Sequence, residues 1–387
     1  MNSIFGRAIR PVLLGAAIVG LSAALGGCQP SVPDTVRIGV PVTLSGPNAS
    51  RGQDLLNGAL LAAEELNSAQ FKIHGKVVKF EIVPKDDKGD PATVKKVAQE
   101  LADDNIQAVI GHVNSQQTQL AVPIYASKNL PHLFTSTNKN LTTMGGGNTF
   151  RLVANDQVQA QALAGFALDS LNAERMVAVV EAGEYGQDLY TDLAAALKKR
   201  NKTPLARFDV DGKQPVGDAV AAKIKELHAD VVMVLGREGH VLSLMDKLKA
   251  VQYTSVTVLA ANGAKTSRVS RSEVPVRALF ATTSTVELSE LATGREFLAR
   301  FQAKYRSEPV WGAHYAYDAV YLLADVMRRA ESADGKAVIA KLKQIEPNTR
   351  VNYQMRFAAN GEQTYPAIGV YKAEHGVWVP QMRSTNW

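Results

Sequence analysis

Apolar positions along this chain follow two alternating rhythms. Short runs rich in branched apolar residues at 36–42, 77–83 and 108–110 read as strands, and each is followed by a segment with apolar residues at helical spacing, at 52–67, 92–103 and 116–128. The rhythm restarts after residue 156. It gives helix 158–171, strand 176–180, helix 186–200, strand 204–209, helix 216–227, strand 231–235, helix 240–250 and strand 256–259. Strands that are almost continuously apolar need cover on both faces, and helices between them provide it. The pattern predicts an α/β fold with two Rossmann-like lobes on mostly parallel sheets. The last third reads as a completion of both lobes: a strand at 279–283, helices at 290–305 and 312–330, and short β runs within 353–382 that carry an Asn360-Gly361 turn signal.

The N-terminal region changes the picture. Arg7 and Arg10 precede an uncharged apolar run from 11 to 25, and Leu25-Gly26-Gly27 then leads into Cys28, the single cysteine among 387 residues. The run is too short and too weakly flanked for a permanent membrane helix and fits a processed secretory signal. The segment resembles the lipobox of bacterial lipoproteins. That resemblance implies cleavage after residue 27 and a diacylglyceryl group on the Cys28 sulfur. Acyl chains at about 0.8 kcal/mol per buried methylene would hold the chain on a lipid bilayer. Residues 28–34, with two prolines and a serine, read as a tether, and folded structure is expected from Thr35.

Charge and composition remove several function classes. The formal net charge is +6, from 43 basic and 37 acidic residues; Arg7 and Arg10 leave with the signal, so the mature part has 41 basic and 37 acidic side chains. These are well mixed, with no basic block interleaved with aromatics, which argues against nucleic acid as a partner. Seven histidines are scattered without H-E-x-x-H or a carboxylate cluster at ligand spacing, so neither a catalytic metal nor another cofactor is indicated. The G-x-S-x-G elbow of an α/β hydrolase is missing as well. Gly145-Gly146-Gly147 lacks the G-K-[ST] ending of a phosphate loop and reads as a connection.

Candidate chemistry gathers where strands give way to helices, the edge at which open α/β folds place ligands. Ser45-Gly46-Pro47 is such a turn, with Gly46 and Pro47 read as plain turn formers. Asp86 and Asp87 look like paired carboxylates, but Asp90-Pro91 has the form of an N-cap followed by proline at the first helical position, and the segment is read as structural. His112 is read as a structural histidine. Ser115 lies at or just before a helix start, where its hydroxyl and the free N–H groups can receive an anion. Phe134-Thr135-Ser136-Thr137 ends the following strand. Trp311 is read either as the apolar end of a pocket or as core.

Taken in order, Leu44-Ser45-Gly46-Pro47 with Gly52, Asp86-Asp87-Lys88-Gly89-Asp90-Pro91, Gly111-His112-Val113-Asn114-Ser115 with Thr118, Glu184-Tyr185-Gly186 and Tyr315-Ala316-Tyr317-Asp318-Ala319 are similar to the leucine/isoleucine/valine-binding proteins. These are type I periplasmic solute-binding proteins of ABC importers. The resemblance implies two lobes joined by a multi-strand hinge, with 35–155 and 285–352 in lobe I and 156–284 and 353–387 in lobe II. It also implies a non-enzymatic transport role on the periplasmic side of the cell envelope, a small carboxylate-bearing ligand and an ABC permease as partner. By the same resemblance Ser115 binds the ligand carboxylate, the Thr135 carbonyl and Thr137 hydroxyl contact its carboxylate and ammonium, and Tyr185 reaches in from lobe II.

The sequence departs from the family at three positions. Asn262 stands where the amino-acid binders place an acid for the substrate ammonium. Arg237 stands at an aromatic position, and Arg51 at an aromatic or apolar one. If both arginines face the cleft, the expected ligand is an acid without a free amine or with a second anionic group; otherwise the arginines face solvent or pair with Glu238 and Asp54. A ligand-sensing or envelope-regulating role for the same fold stays open at this point.

Overall fold

Strand formation begins where the alternation begins. In the computed structural model, which describes residues 32–46, 49–211, 216–285, 287–344, 346, 349–352 and 355–384, the order is β1 (Thr35–Val42), α1 (Ala49–Ser68), β2 (Lys72–Ile73), β3 (Lys76–Val77), β4 (Lys79–Asp86), α2 (Pro91–Asp103), β5 (Ala108–Ile110), α3 (Ser115–Ser127), β6 (His132–Phe134), α4 (Leu141–Met144) and β7 (Thr149–Arg151). The first sheet has the order β4-β1-β5-β6-β7, with every neighbour parallel. Cys28, the signal, the tether up to residue 31 and Pro47 lie outside the described residues.

The second sheet is reached after β7. It follows α5 (Asp156–Gly165, continued by a π-turn over Phe166–Ser170) with β8 (Met176–Glu181), α6 (Glu184–Lys199), β9 (Ala206–Val210), α7 (Asp218–Glu226), β10 (Val231–Leu235), α8 (Glu238–Ala250), β11 (Thr257–Ala260), α9 (Ser267–Ser270) and β12 (Ala278–Thr283). The chain then returns to the first lobe for α10 (Gly294–Tyr305), α11 (Ala313–Ala330) and α12 (Gly335–Leu342), and ends in β13 (Ile368–Glu374) and β14 (Val377–Ser384). The sheet order is β14-β13-β12-β11-β10-β8-β9, parallel except for the last two strands. Two lobes of mostly parallel sheet are therefore linked by three crossings, a multi-strand hinge.

Packing follows the apolar spacing. Leu55, Ala59, Ala62 and Leu66 of α1 bury one face against α11, where Ala316, Ala319, Val320 and Leu323 answer them. Met355 and Phe357 pack in this same first core, and the chain joins the second sheet at Ile368. The helix expected over 290–305 is instead a 3-10 turn at Leu288–Glu290 followed by α10 from Gly294. Gly294 marks the break: a Cβ there would lie 1.8 Å from the Leu288 carbonyl oxygen, so the turn closes directly onto the helix start.

Buried carboxylates tie the crossings to the lobes. Asp54 on α1 accepts from the N–H groups of Val310, Trp311, Gly312 and Ala313 at 2.7–2.9 Å, satisfying orphan donors at the start of α11. Asp318 does the same for Arg350, Val351 and Asn352 at 2.6–2.9 Å. Arg151 is fully buried; it donates to Glu362 at 3.0 Å, to the Asn138 carbonyl at 2.7 Å and to the Ser136 carbonyl. Asn155 and Thr142 donate to the same Glu362 carboxylate. The first and third crossings thus meet at one ion pair.

Candidate ligand-binding cleft

In the first lobe two loops at neighbouring strand ends form one surface. β5 pairs with β6 through Val109 with His132 and Ile110 with Leu133, so the residues that follow each strand emerge side by side. Ser115 is the first residue of α3, half-buried, and its Oγ accepts from the Asn138 backbone N–H at 3.2 Å. The Thr118 and Ser136 hydroxyls are 2.5 Å apart, and Ser136 donates to the His112 carbonyl at 3.2 Å. Ser115, Thr135 and Thr137 are thereby brought together. Thr135 is buried, and its hydroxyl has no partner among the described residues. Thr137 is also buried, its carbonyl accepts from the Asp156 N–H at 2.8 Å, and its side chain lies beside the Asp156 carboxylate.

The structural readings beside this surface follow the expected chemistry. Asp90 caps α2 by accepting from the Thr93 N–H at 2.8 Å, with Pro91 at the first turn. His112 Nδ1 lies 2.6 Å from Asp87 Oδ2, both groups buried, while Asp87 also accepts from Thr43 at 2.6 Å. Asp86 accepts from the Leu44 and Lys88 N–H groups at 2.9 Å. These carboxylates hold loops and leave no oxygen pair poised for acid–base work.

The second lobe supplies the facing wall. α6 begins at Glu184, directly after β8, and Gly186 permits the close approach: a Cβ there would lie 2.2 Å from the Glu181 carbonyl oxygen. Tyr185 is half-buried, and its hydroxyl lies beside the Gly263 amide without a hydrogen bond of ordinary geometry. Burial raises its pKa, and the nearby Asp156 carboxylate adds to that. Asn262 is buried: its Oδ1 accepts from Thr283 at 3.1 Å, and its N–H donates to Gln159 at 3.0 Å.

The arginines take partners that sequence spacing did not suggest. Arg237 opens α8 in extended conformation and pairs with Glu181 at 3.1 Å, its side chain 54% exposed. Glu238 instead pairs with Arg268 at 3.1 Å and accepts from Thr266 at 2.7 Å. Asp54 is occupied by the α11 amides, so Arg51 lies over the Trp311 ring, 5.4 Å from its centroid. Arg51 is half-buried and forms no ion pair among the described residues. Burial lowers its pKa, Tyr185 opposes that shift, and Arg237 adds to it, so the two cations and the tyrosine sense one another across the cleft.

Two acids of the cleft were not singled out in the sequence. Asp156, in the first turn of α5, is 2% exposed, and its Oδ1 has no partner among the described residues. Burial pushes its carboxyl up to about 7, although the Thr137 hydroxyl and Arg151 draw it down. Glu181, at the end of β8, is buried, its Oε2 without a hydrogen bond among the same residues and 3.9 Å from His240 Nδ1. Asn155-Asp156 reads in sequence as an ordinary helix start, and Asn155 does cap α5 through the Val158 N–H at 3.0 Å. Nothing in that pattern reports burial.

The lobes also touch beside the cleft: Asn138 donates to Asp188 at 2.8 Å, and Lys139 pairs with Asp192. A cavity of about 50 Å³ lined by Lys265, Thr283, Thr285, Trp311 and His314 opens at one end. A larger concavity of about 730 Å³ lies elsewhere, between α3, Gly145-Gly146-Gly147 and α12, and includes none of the candidate residues. Among the described residues no group of three His, Cys, Asp or Glu side chains is placed to hold a metal ion, and no helix is long and apolar enough to cross a membrane.

Two sheets, three crossings and a polar seam between them define the two-lobed architecture of a solute-binding protein. The chain belongs to the periplasmic binding protein family, which it matches over residues 35–376. It is 27% identical over 363 residues to the Leu/Ile/Val-binding protein homolog 1 of Brucella abortus (strain 2308), an alignment covering 94% of this chain and 95% of that one. Its fold is that of a leucine binding protein from Thermotoga maritima MSB8, with TM-score 0.78, 21% identity, and 90% and 98% of the two chains covered. It is equally the fold of an ABC-transporter solute binding protein from Rhodopseudomonas palustris BisB5 in complex with 3,4-dihydroxy benzoic acid, with TM-score 0.78, 17% identity, and 91% and 98% covered.

Proposed function

We propose that this chain is the solute-binding component of an ABC importer, held on the periplasmic side of a membrane through acylated Cys28, and that it passes a small carboxylate-bearing solute to a permease. The lobes are taken as 35–155 with 285–352 and 156–284 with 353–387, with Met355 and Phe357 of the third crossing still packed against the first core. In this reading Ser115 Oγ and the free N–H groups at the start of α3 receive the ligand carboxylate, with the Thr135 carbonyl and Thr137 hydroxyl beside them. Tyr185, Arg237 and Asn262 form the second-lobe wall and come into contact as the lobes close. Closure follows because a ligand touching both lobes favours the state in which both are within reach.

The observation that carries this reading is Arg51, a half-buried guanidinium over Trp311 with no ion-pair partner among the described residues. Desolvating such a cation without a partner is costly, and a ligand carboxylate makes a bidentate partner. The preferred solute is therefore an acid with a second anionic or aromatic group, not a plain aliphatic amino acid. The test is a thermal-shift panel of amino acids, dicarboxylates and aromatic acids, followed by small-angle scattering. Dicarboxylates or aromatic acids should raise Tm and reduce the scattering radius. Micromolar binding of leucine, isoleucine or valine with no gain for those acids would contradict it. Anchoring has its own check: Cys28→Ala should abolish acyl labelling and membrane retention, and unchanged labelling would end that part of the reading.

A further inference from the structure

We infer that the concavity between α3, the 144–148 segment and α12 is a second binding site, built for a phosphate group carried on an apolar body. It lies away from the solute cleft and stands independently of the reading given to that cleft. The strands of the first sheet are parallel, so all of them start on one edge: Asn129 comes shortly before β6 and Asn148 directly before β7, whereas Ser115 and Thr135 follow strand ends on the opposite edge. The volume, about 730 Å³, falls among those of small-molecule sites, about 300–1,000 Å³. Among the described residues that line it are two lysines, Lys336 and Lys343, and no carboxylate.

The glycine run supplies the seat for the anion. Gly145 ends α4 at φ −91° and ψ 5°, Gly146 follows at φ 65° and Gly147 at φ 100°. A residue near the right-handed helical region followed by one in the left-handed region turns successive N–H groups toward one point, which is the form of an anion-binding nest. None of the three N–H groups donates a hydrogen bond among the described residues. Lys343 adds the charge. A Cβ on Gly147 would lie 2.5 Å from Lys343 Nζ, so the ammonium rests over backbone that only glycine leaves open, and this half-buried side chain forms no ion pair among the described residues. The start of α12 is not part of the seat, because Asp334 already accepts from the Lys336 and Ala337 N–H groups at 3.0 and 3.2 Å.

The remaining wall selects the rest of the ligand. Asn148 is 4% exposed; its Nδ2 donates to the Leu130 carbonyl at 2.8 Å, and its Oδ1 has no partner among the described residues. That oxygen lies against Gly145, where a Cβ would be 2.3 Å from it, so one acceptor stands beside the donors and suits a hydroxyl on the phosphate or its ester. A phosphate monoester brings about −1.5 to −2 charge and three terminal oxygens, enough to meet the N–H groups and Lys343 together. Pro123, Ala126, Met144, Ile339 and Ala340 line the groove beyond, with Met144 43% exposed, and they suit an apolar body. A lipid headgroup and a soluble phosphate ester share this chemistry. β1 starts on the same sheet edge at Thr35, seven residues after Cys28, a length of chain that spans at most about 25 Å, so a headgroup is within reach of the anchor proposed above.

The experiment is isothermal titration calorimetry of the parent with sn-glycerol 3-phosphate, glycerol, and dihexanoyl phosphatidic acid below its micelle concentration, joined to amide NMR of glycine-labelled protein. Both phosphates should bind and glycerol should not, the Gly145, Gly146 and Gly147 amide resonances should move, and added salt should weaken binding. Lys343→Glu should lose about tenfold or more, Lys343→Ala should fall between it and the parent, and Lys343→Arg should stay within about threefold of the parent. The ligand-free melting temperature reports the folding of each variant. Arg51→Leu, in the solute cleft, should bind both phosphates as the parent does. Tighter binding of the phosphatidic acid by about tenfold or more assigns the site to a lipid headgroup, and equal affinities assign it to a soluble phosphate ester; each supports the site. Absence of binding by either phosphate overturns it, as does binding that survives Lys343→Glu. Loss in Arg51→Leu with retention in Lys343→Glu places the phosphate in the solute cleft and overturns it as well, while failure of every acid to bind the cleft leaves these results unaffected.

Discussion

Arg151→Leu is expected to remove about 3–5 kcal/mol of folding stability, the cost of breaking a buried ion pair from one side. The guanidinium has no exposed surface, and it serves the Glu362 carboxylate and the carbonyls of Ser136 and Asn138 at once. Its loss leaves a largely buried carboxylate and two carbonyls without their donor, and each unmet group adds a desolvation penalty of about 1–3 kcal/mol in its own right. Urea denaturation of the ligand-free protein measures the loss. Combining Arg151→Leu with Glu362→Leu should recover part of it, because removing both partners strands no charge. Ligand affinity should fall as well, since the 136–138 carbonyls shape the loop that carries Thr135 and Thr137. A loss below about 1 kcal/mol would show that water replaces the arginine freely and that the crossings are not joined here.

Arg51→Leu has the second large expected effect, on binding rather than on folding. A charged hydrogen bond contributes about 1.5–3 kcal/mol, so affinity for a dicarboxylate or aromatic acid should drop by about tenfold to a hundredfold. Folding should change little, because Arg51 makes no ion pair among the described residues and leucine keeps an apolar contact with Trp311. The parent's affinity should weaken with added salt, and the variant's salt dependence should be shallower. Calorimetry over a salt series reads both quantities. Unchanged affinity and unchanged salt slope would place Arg51 outside ligand contact and reopen the apolar substrate class.

How much of this was legible in the sequence depends on the distance over which the physics acts. Strands such as β1 and β10 carry their burial in a continuous apolar run, and α1 shows its buried face in the spacing of Leu55, Ala59, Ala62 and Leu66. β7 is three residues with a threonine and an arginine, and only its pairing with β6 makes it a strand. α12 spans two turns and announces itself mainly by its Asp334 cap, which accepts from the Lys336 N–H at 3.0 Å. The candidate loops were visible because helix starts after strands have a local signature. The partners of Arg51 and Arg237 were not, because Trp311 and Glu181 come from segments remote in sequence and nearer acids were already engaged. Asp156 was missed for a related reason. A helix-start aspartate is ordinarily solvated, and only the facing of Thr137, Arg151 and α6 buries this one.

The central claim is that the Ser115 loop receives an acidic group of a solute captured between the lobes. Calorimetry of parent and Ser115→Ala with the acid that most raises Tm tests it directly. The account predicts binding about tenfold weaker in the variant, with the ligand-free melting temperature nearly unchanged, because Ser115 Oγ accepts a single bond from Asn138. Equal affinity of the two proteins for that acid would remove Ser115 from the site and contradict the account.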